Sequence, residues 1–426
     1  MKHYLFSAIT LLVIGLMPLR AEAQFWKKMF HKHKPHTKVD STAIKAAIAL
    51  KRRKPDPEFP PSIKKQRYRI DYIAPIRLDD IVNEDKTIDD KMLSKSQPYV
   101  DFYKGIKLAA DSLNALNYEL DVYVHDIQDS TLGIYELVQS GELNNSDLLL
   151  VALPAKDILP LADFGKTHTI NVVSVYSASD GGITNNPYFT MLQATLATHC
   201  HKIKEALLKQ YGKKKILLLY RDGQSLDKTT HELISENESE LNFQPISCDQ
   251  LPAKTALNAF IDSTQKNIVL MPLMDIAYAE KMLKYLHENF PHASFEVWGM
   301  PTWKGLNNLH KKDAYGNMEI CMSQSFNFDH NNKTYKQIER RYKKEFGGKP
   351  GEWVLKGYES FFYFAGLLKK YGTIFNTGLR DNTLAIFTKF QIAYKRIHAQ
   401  DPVAYNENQH VYIFKYKNGL AAVLPN

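Results

Sequence analysis

Cysteine is scarce in this chain. Its 426 residues include only Cys200, Cys248 and Cys321, neither an even disulfide framework nor a metal-ligand spacing. That excludes a disulfide-stapled miniature and a zinc module. Long apolar runs are also lacking. Beyond residue 17 nothing approaches the ~20 uninterrupted apolar residues that span a bilayer. The catalytic signatures are missing too: there is no Gly-x-Ser-x-Gly, no phosphate-binding loop and no dinucleotide fingerprint. His231-Glu232 begins like a zinc-protease helix but has no second His at i+4. Ser62–Lys65 and Ser263–Lys266 match Ser-x-x-Lys without the companion motifs that would make it chemical. His199, Cys200 and His201 are consecutive, so on a helix they point ~100° apart and share no ligand. These absences argue against an enzyme, a metal centre and a bound cofactor.

What is present is core material and one basic segment. Hydrophobic residues make up 44% of the chain and charged residues 24%, enough for real cores. The formal charge is +9, but its distribution is uneven. Residues 24–69 hold 14 Lys/Arg against 3 Asp/Glu, which leaves the rest mildly acidic and argues against a nucleic-acid partner. Lys2, an apolar run from Tyr4 to Met17 and Ala21-Glu22-Ala23 have the three-part form of a secretory signal peptide over residues 1–23. The expected location is therefore the periplasm. Residues 24–67 read as a basic, Pro-containing linker. The 24–54 arm, with Trp26 and Phe30, either contacts an anionic envelope surface or is simply solvated. His31, His33 and His36 on this arm are a weak metal signal.

From residue 69 the hydrophobic period alternates between strand and helix. Arg69–Pro75 reads as a strand. Phe102, Ile106, Ala109, Leu113 and Leu116 then recur at helical spacing. Asp147–Leu153 is a continuous apolar run, as expected where helices cover both sheet faces. Lys215–Tyr220, Phe243–Cys248, Asn267–Met271 and Ser294–Gly299 read as strands of a second series. Helices over 226–241, 253–263 and 277–290 separate them. Two comparable series imply two α/β lobes with parallel sheets. After Met322 the pattern becomes helical over 335–346 and 353–371. It ends in a hairpin around Asn418-Gly419. Tyr358, Phe361, Phe362, Tyr363 and Phe364 fall on one of those helices and read as core rather than as a stacking platform.

Several local signatures stand in a recognisable order: Phe102–Asp111, Asn186-Pro187-Tyr188-Phe189, Trp298–Trp303, Tyr342–Phe346 and Gly357-Tyr358-Glu359. In that order they resemble the type I periplasmic binding proteins, the branched-chain amino-acid and amide binders and their relatives. Trp298–Trp303 resembles a segment of Bacteroidetes-type members. The resemblance spans residues 68–426. It implies an α/β fold of two doubly wound parallel-sheet lobes joined by a three-crossover hinge. Lobe 1 would comprise 68–190 and 326–382, and lobe 2 would comprise 191–325 and 383–426. It further implies an extracytoplasmic solute-binding protein that closes on a small polar ligand, by family default an amino acid or amide. An ABC transporter permease would be its partner.

In open α/β sheets ligands bind beyond the carboxyl ends of the strands. Here those ends carry Arg77 and Asp79, Ala155 and Lys156, Ser177 and Ser179, Arg221 and Asp222, Asp275, and Trp303. The resemblance implies that Ser177 and Ser179 hold a ligand head group from lobe 1 and Asp275 from lobe 2. The chain departs from the family where Gly-Pro-x-x-Ser is usual and Leu153-Pro154-Ala155-Lys156-Asp157 stands. Lys156 there either pairs with an anionic ligand or is solvated. Arg221–Gln224 lacks the usual stacking aromatic. These departures keep open a second function, a scaffold or regulator of cell-envelope machinery on the same fold.

Overall fold

The computed structural model describes residues 54–425 apart from 83–84, 128–129, 237–240 and 313. The expected signal peptide and most of the basic arm lie outside the described residues. Pro55–Asn426 forms one compact unit, built on two seven-stranded sheets.

The first sheet takes β1 (Arg67–Ala74), β2 (Glu119–Asp126), β3 (Leu148–Val151), β4 (Asn171–Ser174) and β5 (Phe189–Met191). Helices α1 (Asp90–Asn114), α2 (Ser130–Gln139) and α3 (Leu159–His168) connect them. The chain then builds the second sheet. It uses α4 (Leu196–Tyr211), β6 (Lys215–Tyr220), α5 (Ser225–Ser235), β7 (Asn242–Ser247) and β8 (Lys266–Leu270). α6 (Ile276–Asn289), β9 (Ser294–Gly299) and β10 (Met318–Gln324) follow. α7 (Lys333–Phe346) and α8 (Glu352–Tyr371) return to the first lobe. The last four strands are β11 (Ile392–Lys395), β12 (Tyr405–Asn408), β13 (Tyr412–Lys417) and β14 (Leu420–Val423). The orders are β11-β12-β5-β4-β3-β1-β2 and β14-β13-β10-β9-β8-β6-β7. Both sheets are parallel except at β11, β13 and β14. This is the two-lobed, doubly wound α/β architecture the sequence implied.

Local chemistry explains much of it. β3 and β4 are buried along their whole length, as parallel strands covered on both faces must be. The β13–β14 hairpin turns through Asn418 at φ 49° and Gly419 at φ 76°, the left-handed pair that a two-residue turn requires. α1 and α8 touch backbone to backbone. A Cβ on Gly357 would lie 2.1 Å from the Phe102 carbonyl oxygen, and one on Gly105 would lie 2.1 Å from that of Val354. The Phe102–Asp111 and Gly357-Tyr358-Glu359 signatures thus meet at a helix crossing. Gly357→Ala is expected to lower stability by about 2 kcal/mol, because no flexible side chain is there to yield. Urea unfolding measures this, and an unchanged midpoint would show that the helices can separate freely.

The chain crosses between lobes after β5, after β10 and after β12. Glu407 on β12 fastens the first crossover. Its Oε1 accepts from Thr195 N at 2.9 Å, Thr195 Oγ1 at 2.7 Å and Thr198 Oγ1 at 2.6 Å. It thereby serves the start of α4, whose own cap is Thr195. Across the second crossover, His199 Nδ1 lies 2.8 Å from Ser323 Oγ, and Ala194 N donates to Ser325 Oγ at 3.1 Å.

Several expectations need correction. Residues 383–426 were expected in lobe 2, but β11 and β12 join the first sheet, with Asn406 opposite Thr190 on β5. Only β13 and β14 extend the second. Part of the expected linker 24–67 is not a free spacer. Ser62 Oγ donates to Tyr371 O at 2.7 Å, Thr373 N donates to Ile63 O at 3.0 Å, and Lys65 pairs with the buried Asp147 at 2.6 Å. The prolines prevent a ladder but not an extended strap. The helix expected over 226–241 stops at Ser235, and that over 253–263 contracts to Lys254–Asn258.

Candidate functional site

On lobe 1 the carboxyl ends of β1, β3 and β4 supply three loops. Arg77 starts a short helix at φ 59°. Its amide donates to Asp126 Oδ1 at 2.7 Å and its guanidinium to Asp80 at 2.5 Å. Asp79 is exposed beside it. Ala155 and Lys156 occupy a tight turn after β3, with the Lys156 side chain exposed. The loop after β4 packs onto that turn, because a Cβ on Gly181 would come 2.3 Å from the Ala155 carbonyl oxygen. The loop that carries Ser177 and Ser179 therefore touches the Ala155–Lys156 turn through Gly181. The Ser177 hydroxyl is engaged locally: it donates to Ser179 O at 2.9 Å and accepts from Ser179 N at 3.0 Å.

On lobe 2 the expected residues form a closed network. Arg221 Nε donates to Asp227 Oδ2 at 2.7 Å, and Nη2 donates to Asp275 Oδ2 at 3.1 Å. The guanidinium carbon lies 4.2 Å from the Tyr278 ring centroid. Asp227 is fully buried, and its other oxygen accepts from Met274 N at 2.7 Å. Asp275 caps α6 through Tyr278 N. The Tyr278 amide and the Arg221 guanidinium hold the Asp275 carboxylate below its ordinary range. Its side chain is nevertheless 40% exposed, so one edge is open to a ligand. Asp222 accepts from His231 Nδ1 at 2.9 Å, and the His231 ring stacks on Tyr220.

Trp303 is the clear correction. It is 0% exposed and donates from Nε1 to Leu273 O at 2.7 Å. A Cβ on Gly299 would strike its indole at 2.1 Å. The Trp298–Trp303 segment is thus a packing device in which a glycine leaves room for a ring. Trp303 has no surface to offer a ligand.

The sequence reading missed an aromatic cluster beside the lobe 1 loops. Tyr176, next to Ser177, stacks on Trp353 at the start of α8, with centroids 5.3 Å apart and planes at 23°. Tyr99 from α1 joins it at 5.1 Å. All three rings are partly exposed. Lys356 places its ammonium 4.3 Å from the Trp353 centroid and pairs with Glu352 at 2.9 Å. Glu352 also pairs with Lys304 from the turn after β9, which joins the two lobes. Burial works against the Glu352 charge, yet Lys356 and Lys304 bring its pKa below the ordinary value. The signal lay in Trp353, which opens the helix carrying Gly357-Tyr358-Glu359. A ring platform beside paired charges can stack an apolar or planar group and orient a polar one.

No protein-family model matches the sequence, and no curated protein is similar to it in sequence. Similarity appears at the level of solved structures. A putative branched-chain amino acid ABC transporter protein from Rhodospirillum rubrum matches with a TM-score of 0.60 at 8% identity, over 84% of this chain and 100% of that one. An ABC transporter substrate-binding protein from Desulfitobacterium hafniense, solved in complex with Leu, matches at 0.54 and 13% identity, over 84% and 100%. A branched-chain amino acid ABC transporter periplasmic ligand-binding protein from Burkholderia xenovorans matches at 0.57 and 12% identity, over 84% and 94%. At these identities what is shared is the architecture, and this chain therefore has the fold of the type I periplasmic binding proteins.

Proposed function

We propose that this chain is an extracytoplasmic solute-binding protein that closes its two lobes on a small polar ligand. The observation that carries this reading is the two-lobed, three-crossover fold, bridged at Lys304–Glu352 beside a partly exposed aromatic cluster. Hinge closure needs a ligand that contacts both lobes, since only differential affinity shifts the open–closed balance. Lys156 and the Tyr176–Trp353 stack would serve from lobe 1, and the open edge of Asp275 from lobe 2. Amino acids and amides lead the ligand classes, the first because the Desulfitobacterium hafniense protein of this fold was solved in complex with Leu. The self-engaged Ser177 argues that the head group is held differently here. The reading places the protein in the periplasm, with an ABC transporter permease as partner and binding rather than turnover as its task. It also retains Trp298–Trp303 as a mark of the Bacteroidetes-type branch.

A panel of amino acids, amides, short peptides and cell-wall fragments, screened by thermal shift on the full chain, tests this. A ligand at 100 times its dissociation constant adds about 2.7 kcal/mol. Asp275→Asn keeps an acceptor for the α6 cap, so it should preserve stability yet weaken that ligand at least tenfold. A panel with no shift and no saturable heat would remove the solute-binding reading. It would favour the scaffold function, for which the basic 24–54 arm would be the contact.

A further inference from the structure

A cavity lies at the hinge, lined by none of the strand-end residues named for the candidate site. Its volume is about 1030 Å³, large enough for a drug-sized organic molecule. One wall is α4 of lobe 2, with Lys202, Ala206 and Lys209. The facing wall is the lobe 1 segment after α8, with Arg380, Lys389 and Phe390. The third crossover closes the back with His410 and Val411, and Ile413, Leu424 and Pro425 complete the apolar floor.

The charge on these walls is one-sided. Among its described lining residues four cations, Lys202, Lys209, Arg380 and Lys389, face a single carboxylate, Glu205. Lys202 pairs with Glu205 at 2.7 Å. Among the described residues the other three cations have no carboxylate partner, and Arg380 uses only Nε, donating to the Ile392 carbonyl at 3.1 Å. The imidazole of His410 reports the resulting field. Burial pushes its pKa down, and Lys389 from one lobe and Lys202 from the other push it further. Unpaired cations beside the partly exposed Ala206 and Leu424 and the exposed Pro425 are complementary to one chemistry: an anionic head on an apolar body.

We infer that this cavity is a second ligand site, taking a free amphiphilic organic anion with a carboxylate or phosphate head. Because α4, the 380–391 segment and the third crossover all line it, an occupant touches both lobes and the hinge. It therefore biases the open–closed equilibrium. The coupling to solute affinity rests on the solute-binding reading above; the site itself does not.

The test titrates the full chain with decanoate and decyl phosphate below their micelle concentrations, using calorimetry, with decanol as the neutral control. The expected result is saturable one-to-one binding of both anions, with decanol at least tenfold weaker. Lys209→Glu with Lys389→Glu, two exposed positions without an ion pair, should weaken the anions at least tenfold and leave the melting temperature near wild type. Binding that ignores this double substitution, or decanol binding equally well, would overturn the assignment. Co-sedimentation with phosphatidylglycerol vesicles but not phosphatidylcholine vesicles, without monomer binding, would also overturn it, in favour of a membrane headgroup. Small-angle scattering with and without decanoate then reads the hinge directly. A changed radius of gyration supports the bridging role even where no solute is known, and an unchanged one removes it.

Discussion

Glu407→Ala is expected to cost about 4 kcal/mol of unfolding free energy, among the largest losses any single substitution in this chain would bring. The carboxylate is completely buried and gathers three donors from Thr195 and Thr198 on one oxygen. Lys395 stands 3.7 Å from the other. Alanine leaves those three donors without their acceptor, the Thr198 hydroxyl in a buried site, and each unsatisfied buried group costs about 1–3 kcal/mol. Lys395, 35% exposed, turns to solvent. Glu407→Gln separates charge from hydrogen bonding. It keeps an acceptor of the same shape for the three donors, so its loss should be about 1–2 kcal/mol. Urea unfolding of both variants measures the difference. Glu407→Ala within 1 kcal/mol of wild type would mean that the first crossover does not depend on this anchor. The loss should also reach function, because Glu407 ties the sheet of one lobe to the first helix of the other.

Glu359→Gln should act with the opposite sign. Glu359 lies on α8, fully buried. It accepts from Phe387 N at 2.7 Å and Thr388 N at 2.5 Å. Burial raises its pKa from 4.5 to about 7 despite those amides. Between those two values the folded chain binds more protons than the unfolded one. Stability from this group is therefore full below pH 4.5 and falls as pH rises through 7. A shift of that size corresponds to about 3 kcal/mol at pH 8. Glutamine keeps an acceptor for both amides and carries no charge at any pH. The variant should match wild type near pH 4.5 and exceed it by about 3 kcal/mol at pH 8. Melting curves at the two pH values decide this, and equal stability of the two proteins at pH 8 would refute it.

The parts of this molecule that were legible in the sequence share one property: their burial is apolar and local. The apolar runs at β3, β6 and β8 announce strands covered on both faces, and the Asn418-Gly419 turn declares its hairpin through the left-handed φ values it needs. Gly105 and Gly357, where α1 and α8 touch, stand inside two of the signatures, but nothing local in either segment told that the helices meet there. β12 is the opposite case. Tyr405-Asn406-Glu407-Asn408 has almost no hydrophobic signal, yet all four residues are buried. Asn406 donates to Pro187 O and Phe189 O, and Asn408 donates to Leu192 O. No periodicity reveals a strand whose burial depends on polar partners more than 200 positions away.

The candidate site divides in the same way. Strand-end positions could be named from the order of elements, and the structure places Arg77, Ala155, Lys156, Ser177, Ser179, Arg221 and Asp275 at such ends. Whether each side chain is free was not readable. Arg221 is shared between Asp227 and Asp275, Ser177 closes its own loop, and Trp303 fills the space that Gly299 leaves. The Tyr99–Tyr176–Trp353 cluster joins residues from three separate elements, so no local pattern contains it. The sequence by itself determined the alternation, the two lobes and the signatures of the fold, because hydrophobic period and turn chemistry act over a few residues. Tertiary structure alone decided which polar side chains are satisfied within the protein and which remain open to a ligand. That depends on distances between segments remote in the chain, and on the high cost of leaving a buried polar group unpaired.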